Sequence, residues 1–253
     1  MRISSKISIC IAAVLLCLGA ASCKKDTTIQ YNNMTMGNIV NGTFVSDQGN
    51  IFNIVEQDKS CNGDLMTLER AYILCDVLNK TVGGLDNEYD VRLNAMAQVT
   101  TKDILPFDSE IEEDKLKEDP ISIEYIWFSG GYINFYVMFP VKVVSETAHM
   151  VNLVQQESSE GYVFRFTHNA FGETLENGDS SEYAMAGGYI SFPISTFIHE
   201  DEANVKVEWT WYKTIGMGLT QDTEVISATV IYKKDGFEHM PKALKEKAKA
   251  VVR

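Results

Sequence analysis

The side chains downstream of residue 23 best suited to acid–base, nucleophilic or zinc chemistry are four histidines, His149, His168, His199 and His239, and two thiols, Cys61 and Cys75. The histidines are far apart and fall in different segments. No His-x-x-x-His, Cys-x-x-Cys, Gly-x-Ser-x-Gly or glycine-rich phosphate loop occurs in this part of the chain. Catalytic triads assemble from distant segments, so a hydrolase would require His149, His168 or His199 to meet a carboxylate in a cleft. The expectation is a chain with no catalytic residues, no metal and no cofactor. The acidic stretch between Pro106 and Pro120 lacks the ligand spacing of a calcium loop and reads as a solvated linker or one short surface helix. His168 closes a segment in which Tyr162, Phe164, Phe166 and His168 alternate, and Asn169 and Gly172 supply turn chemistry directly after it. His168, Asn169 and Gly172 are therefore expected to tie a strand end to a turn through backbone hydrogen bonds.

The elements that must position these groups are written almost wholly as strands. Residues 38–45 and 51–56 flank Ser46-Asp47-Gln48-Gly49-Asn50 as a hairpin; residues 65–78, 89–95 and 99–105 follow. Four or five short strands within residues 37–106 suggest a small barrel. After the acidic linker at 107–120 the strands lengthen: 121–128 and 132–144 meet at Ser129-Gly130-Gly131, and further strands are expected at 150–155, 162–168, 189–193, 205–213 and 224–233. Seven strands over residues 121–237 suggest a β-sandwich. Val205, Val207, Trp209 and Trp211 share one face of their strand, which places both tryptophans in the core. Tyr132 and Tyr136 lie on the face opposite Ile133, Phe135, Val137 and Phe139, and are the aromatic candidates for ligand binding. Residues 238–253 read as a short basic amphipathic helix, either touching anionic lipid or lying on the acidic body.

Location is written at the N-terminus. Arg2 and Lys6 precede an apolar run of about a dozen residues, too short for the ~20 a bilayer span needs, and small residues close it: a secretory signal over residues 1–22. The small residues before Cys23 resemble the lipobox of bacterial lipoproteins, with Ala20 where Leu is commonest. That resemblance implies lipidation of Cys23. Residues 23–36, polar and without a sustained apolar period, read as a tether. Lys24-Lys25-Asp26 resembles the charged post-cysteine signals of outer-membrane lipoproteins, which implies residence at the outer membrane, on its periplasmic face or at the cell surface. Losing Arg2 and Lys6 takes the formal charge from −13 to −15, so the body repels phosphate backbones and nucleic acid is excluded as a partner. With 45% apolar and 10% aromatic residues the exported chain is a folded one. Cys61 and Cys75 would meet an oxidising compartment, and the spacing leaves open a disulfide or two buried thiols.

Cys23, the hairpin bearing Asp47-Gln48-Gly49, the segment Trp127-Phe128-Ser129-Gly130-Gly131-Tyr132-Ile133-Asn134 and the turn His168-Asn169-Ala170-Phe171-Gly172 together resemble the NigD-like lipoproteins. The resemblance runs from about Gly37 to Gly236 and implies an all-β chain, an OB-type barrel followed by a β-sandwich. The family's molecular role is unknown, and its name comes from bacteriocin genes. The expected function is a non-enzymatic, membrane-anchored lipoprotein that binds a glycan or protein partner at the cell envelope. The alternatives are an immunity-type protein that sequesters a toxin, and a structural or adhesin subunit associating through strand edges.

Overall fold

The computed structural model describes residues 32–234 apart from 60, 62–63, 108–109, 145–146, 160, 176–179 and 216–217. The signal, Cys23 and the basic helix lie outside the described residues. Twelve strands occur in them: β1 (Asn32–Val40), β2 (Thr43–Ser46), β3 (Ile51–Gln57), β4 (Arg70–Lys80), β5 (Glu88–Thr101), β6 (Ser122–Ser129), β7 (Tyr132–Lys142), β8 (Met150–Gln156), β9 (Tyr162–Asn169), β10 (Tyr183–Pro193), β11 (Glu202–Ile215) and β12 (Gly218–Lys233). The chain is all-β.

The first five strands close on themselves. β1 pairs antiparallel with β2 and β4, β2 with β3, and β4 with β5, while β3 and β5 pair in parallel, giving the circuit β1-β2-β3-β5-β4 of an OB-type barrel. Closure of so few strands demands sharp bending. Register shifts between Ile54 and Glu56, Leu74 and Cys75, and Val77 and Asn79 supply it. Alternation sends Ala71, Ile73 and Cys75 of β4 inward to meet Phe44, Phe52, Val91 and Leu93. The β1–β2 turn is Asn41-Gly42, both at positive φ (51° and 78°), as a two-residue hairpin with native twist requires.

β5 outlasts the barrel. Its last residues, Val99–Thr101, pair in parallel with Tyr189–Ser191 of β10, so barrel and sandwich share one eight-stranded sheet ordered β3-β2-β1-β4-β5-β10-β7-β6. A second sheet, β12-β11-β9-β8, covers one face of its far half. Between the layers Phe135 and Phe192 of the first sheet meet Phe166 of the second, with ring centroids 4.9–6.1 Å apart. Trp209 is buried and Trp211 packs against the same core.

Several boundaries differ from the sequence reading. β1 begins at Asn32, inside the stretch read as tether, because Met34 and Met36 pair with Leu74 and Tyr72 and need the strand to do so. The strand expected from Leu65 starts only at Arg70: Asp64 accepts from the Met66 N–H and closes a 3₁₀ turn over Leu65–Thr67. The acidic stretch holds a 3₁₀ turn at Glu113–Leu116, and its last residues are not a solvated linker. His168 donates its N–H to Lys117 O, and Asp119 donates its N–H to His168 O, strapping this segment along β9.

Candidate functional site

Arg70 opens β4 just outside the apolar run that fills the barrel and is 1% exposed. A guanidinium has five N–H donors, and all five are used. Nε donates to Ser191 Oγ (3.0 Å), Nη1 to Asn38 Oδ1 (2.9 Å) and Asp47 Oδ1 (2.8 Å), and Nη2 to Asp47 Oδ2 (2.6 Å) and Asn134 Oδ1 (3.1 Å). Asp47 and Asn38 belong to the barrel; Asn134 and Ser191 belong to the sandwich. The acceptors are themselves held. Ser129 donates to Asp47 Oδ2 (2.6 Å), Asn134 Nδ2 to Ser129 Oγ (3.0 Å), and Ser191 to Asn134 Oδ1 (2.6 Å). Tyr132 lies beneath the guanidinium, with Cζ 4.2 Å from the ring centroid. The turn Gly130-Gly131, with φ of 60° and 83°, brings β6 and β7 to this hub, and a Cβ on Gly130 would sit 2.3 Å from Asp47 Oδ1. Buried and fully satisfied, the hub fixes one body against the other.

Beside the hub, on the face of the shared sheet turned away from the sandwich core, runs a row of tyrosines. Tyr189 of β10 stands opposite Tyr136 of β7, which stands opposite Tyr125 of β6; across β5, Tyr72 of β4 packs on Tyr189. Consecutive centroids are 5.0, 5.1 and 6.4 Å apart, from Tyr72 to Tyr125. Met36, Val99 and Trp127 are buried with Tyr72 beneath the row, and Met34, Ala97, Tyr125, Tyr136 and Tyr189 are partly buried around it. Gly187 makes room: a Cβ there would come within 2.8 Å of the Tyr136 hydroxyl. The Tyr72 hydroxyl is buried without a hydrogen-bond partner. Burial, reinforced by the Tyr189 phenol, pushes Tyr72 up; burial, reinforced by Tyr136, pushes Tyr189 up to about 12. Both remain neutral donors at physiological pH.

His149 and His168 do converge. His149 Nδ1 lies 3.0 Å from His168 Nε2, and His149 Nε2 lies 3.5 Å from Glu173 Oε2. Carbonyl oxygens only accept, so the contacts of His168 Nδ1 to Asp119 O (3.2 Å) and Pro120 O (3.1 Å) put its proton on Nδ1. Nε2 then accepts from His149 Nδ1, and His149 Nε2, 3.5 Å from Glu173 Oε2, is buried without a hydrogen-bond partner. Burial, with His149 alongside, lowers His168 to about 4 and keeps it neutral. Glu173 Oε2 also accepts from the Lys142 N–H (3.1 Å). Both imidazoles are buried, and both nitrogens of His168 are engaged within the protein. His199 is exposed and apart, and His239 lies outside the described residues. Among the described residues no group of three ligands could hold a metal.

Asn169 Oδ1 accepts from the Phe171 N–H (2.9 Å), and Phe171 and Gly172 take positive φ (51° and 86°) in the turn after β9. Cys61 and Cys75 are free thiols: Cys75 is in the barrel core, where burial and then Asp76 push its thiol up to about 12, and Cys61 packs against the same cluster. Tyr132 is taken up by Arg70, whereas Tyr136 stands in the tyrosine row. Arg70, Tyr72, Tyr189, Ser191 and Glu173 escaped the sequence reading. Only Arg70 carried a local signal, a charge directly abutting the apolar run Ala71–Cys75.

No curated protein matches the sequence. Three solved structures share the fold: a protein of unknown function from Bacteroides vulgatus (TM-score 0.58, 18% identity, 83% of this chain and 94% of that one), a NigD-like immunity protein from Bacteroides caccae (0.54, 17%, 80% and 97%) and a candidate lipoprotein from Bacteroides fragilis (0.56, 14%, 82% and 100%). The model of the NigD-like C-terminal beta sandwich domain matches residues 103–224. Over those residues the chain carries a NigD-like C-terminal beta sandwich domain.

Proposed function

We propose that this chain is a non-enzymatic lipoprotein, anchored through Cys23 at the outer membrane, that binds a partner at the cell envelope through the tyrosine row. The observation that carries the reading is the row itself: four tyrosines from four strands, held in register on a sheet whose position the Arg70 hub fixes. Aromatic side chains bury large area at little entropic cost and keep a polar tip for hydrogen bonding, which suits a binding face. The lipobox before Cys23 and the likeness to a candidate lipoprotein support the anchor. The buried His168, both of whose nitrogens are engaged within the protein, supports a binding protein over a hydrolase.

Cells making the full chain should retain it in the outer-membrane fraction, and Cys23→Ala should release it. The released chain should re-bind envelope preparations, and Tyr136→Ala with Tyr189→Ala should abolish that binding. Retention of the Cys23→Ala chain in membranes sinks the anchoring; undiminished re-binding by the double variant sinks the binding face. An immunity-type role is the second reading, favoured by the acidic body and by the likeness to a NigD-like immunity protein. It predicts tight binding to one basic protein that weakens steeply with salt.

A further inference from the structure

The buried, unpartnered Tyr72 hydroxyl identifies what the tyrosine row would take. A hydroxyl that has lost water and gained no acceptor destabilises the free protein, and such groups are rare in folded chains unless something else satisfies them. Here the orphan sits in a cluster of aromatic rings, methionines, Val99 and Ala97, with the Tyr189 ring centroid 5.0 Å from that of Tyr72 and Tyr136 next in line. A ligand complementary to this face must be apolar enough to lie on rings and must carry neutral hydrogen-bonding groups for the phenols. It must also approach a body of strongly negative charge, which discriminates against carboxylated and phosphorylated polymers. With consecutive ring centroids 5.0, 5.1 and 6.4 Å apart, the row measures about 17 Å at most from end to end, the reach of a short oligomer rather than of one small molecule.

We infer that the tyrosine row formed by Tyr72, Tyr189, Tyr136 and Tyr125 is a binding site for an uncharged oligosaccharide whose hydroxyl oxygen accepts from the Tyr72 phenol. The inference rests on the binding face proposed above and names its ligand class. The sugar rings lie on the partly buried Tyr189 and Tyr136, and contact with the buried Tyr72 phenol requires a side chain of the cluster to move aside. Trp127, 2% exposed in the same cluster, is a built-in reporter.

The test uses the full lipidated chain in a sugar-free zwitterionic detergent, titrated with uncharged glucan, mannan and galactan hexamers and with a galacturonate hexamer as the charged control, read by tryptophan emission and thermal midpoint. At least one uncharged hexamer is expected to shift both, and the galacturonate neither. Tyr72→Phe should give a free protein more stable than wild type, because the orphan is gone, yet bind the same hexamer at least tenfold more weakly; Tyr136→Ala should abolish binding. Binding of the galacturonate as tightly as of the uncharged hexamers, or an unweakened Tyr72→Phe, overturns the inference. Silence of every uncharged hexamer, with re-binding of the Cys23→Ala chain to envelopes still lost in the double tyrosine variant, would overturn the sugar and leave the binding face standing.

Discussion

Removing the carboxylate of Asp47 should separate the two bodies energetically. Asp47→Ala deletes the acceptor of two guanidinium N–H groups, at 2.8 and 2.6 Å, and of the Ser129 hydroxyl at 2.6 Å. Arg70 is 1% exposed, so water cannot replace what is lost, and a buried charge keeps two of its five donors unanswered. Breaking a buried ion pair from one side costs about 3–5 kcal/mol. At about 2–4 °C per kcal/mol for a chain of this size, the thermal midpoint should fall by roughly 6–20 °C. Urea unfolding followed by tryptophan fluorescence is the assay. Trp127 reports the junction and Trp209 the sandwich core, and a transition that is single in the wild type should broaden or split. The companion variant decides the cause. Adding Arg70→Met to Asp47→Ala removes the stranded charge and should recover part of the loss, since an apolar replacement of both partners is close to neutral. A loss below about 1 kcal/mol, or a double variant no better than the single one, would refute the picture of an ion pair that holds the bodies together.

Gly130→Ala should destabilise more than Gly131→Ala in the same assay: both glycines hold positive φ, but only a Cβ at 130 meets a backbone-anchored carboxylate, at 2.3 Å from Asp47 Oδ1, while at 131 nothing lies within 4 Å. Because burial lowers His168 to about 4, the unfolded chain takes up a proton near pH 6.5 that the folded chain takes up only near 4; stability should be full above 6.5 and decline by on the order of 3 kcal/mol as pH falls to 4, a decline absent in the slope of a His168→Asn variant. Glu173→Ala should cost about 2 kcal/mol by stripping the Lys142 N–H of its acceptor, whereas Glu173→Gln, which keeps an amide oxygen for that N–H, should cost less than about 1 kcal/mol; equal losses on urea titration would contradict the role given to this hydrogen bond.

Period-two patterning made the fold legible, because most strands here bury one face and expose the other. The Tyr132–Phe139 alternation gave the two faces of β7, and Gly130-Gly131 the turn that starts it. Patterning failed where local chemistry competes with it. Asp64 captures the Met66 amide and delays β4, and β10 extends back to Tyr183 through Ala-Met-Ala-Gly-Gly, a run with no alternation to read. The candidate site was legible only in halves. Tyr136 stood out on its own strand, but Tyr72 and Tyr189 join it through a parallel β5–β10 pairing about ninety residues apart in the chain, which no local signal announces. Asp47 and the Ser129–Asn134 segment were visible as turns, while their purpose depends on Arg70, which arrives from a third segment. Glu173 likewise sits one residue past a turn, and only the return of the chain to β7 and β9 places it beside His149.

Sharing β5 between the barrel and the sandwich imposes an order on biogenesis. A chain made from its N-terminus delivers all five barrel strands before any of β10 emerges, and the barrel can close on pairings already in hand. The end of β5 at Val99–Thr101 must then wait, its hydrogen-bonding edge bare, for a partner strand some ninety residues behind it. During that interval the nascent protein presents an open β-edge next to unburied tyrosines and methionines, the surface most prone to pairing with a neighbouring chain. Its dependence on chaperones should therefore peak when about 180 residues have been made, and vanish once β10 docks.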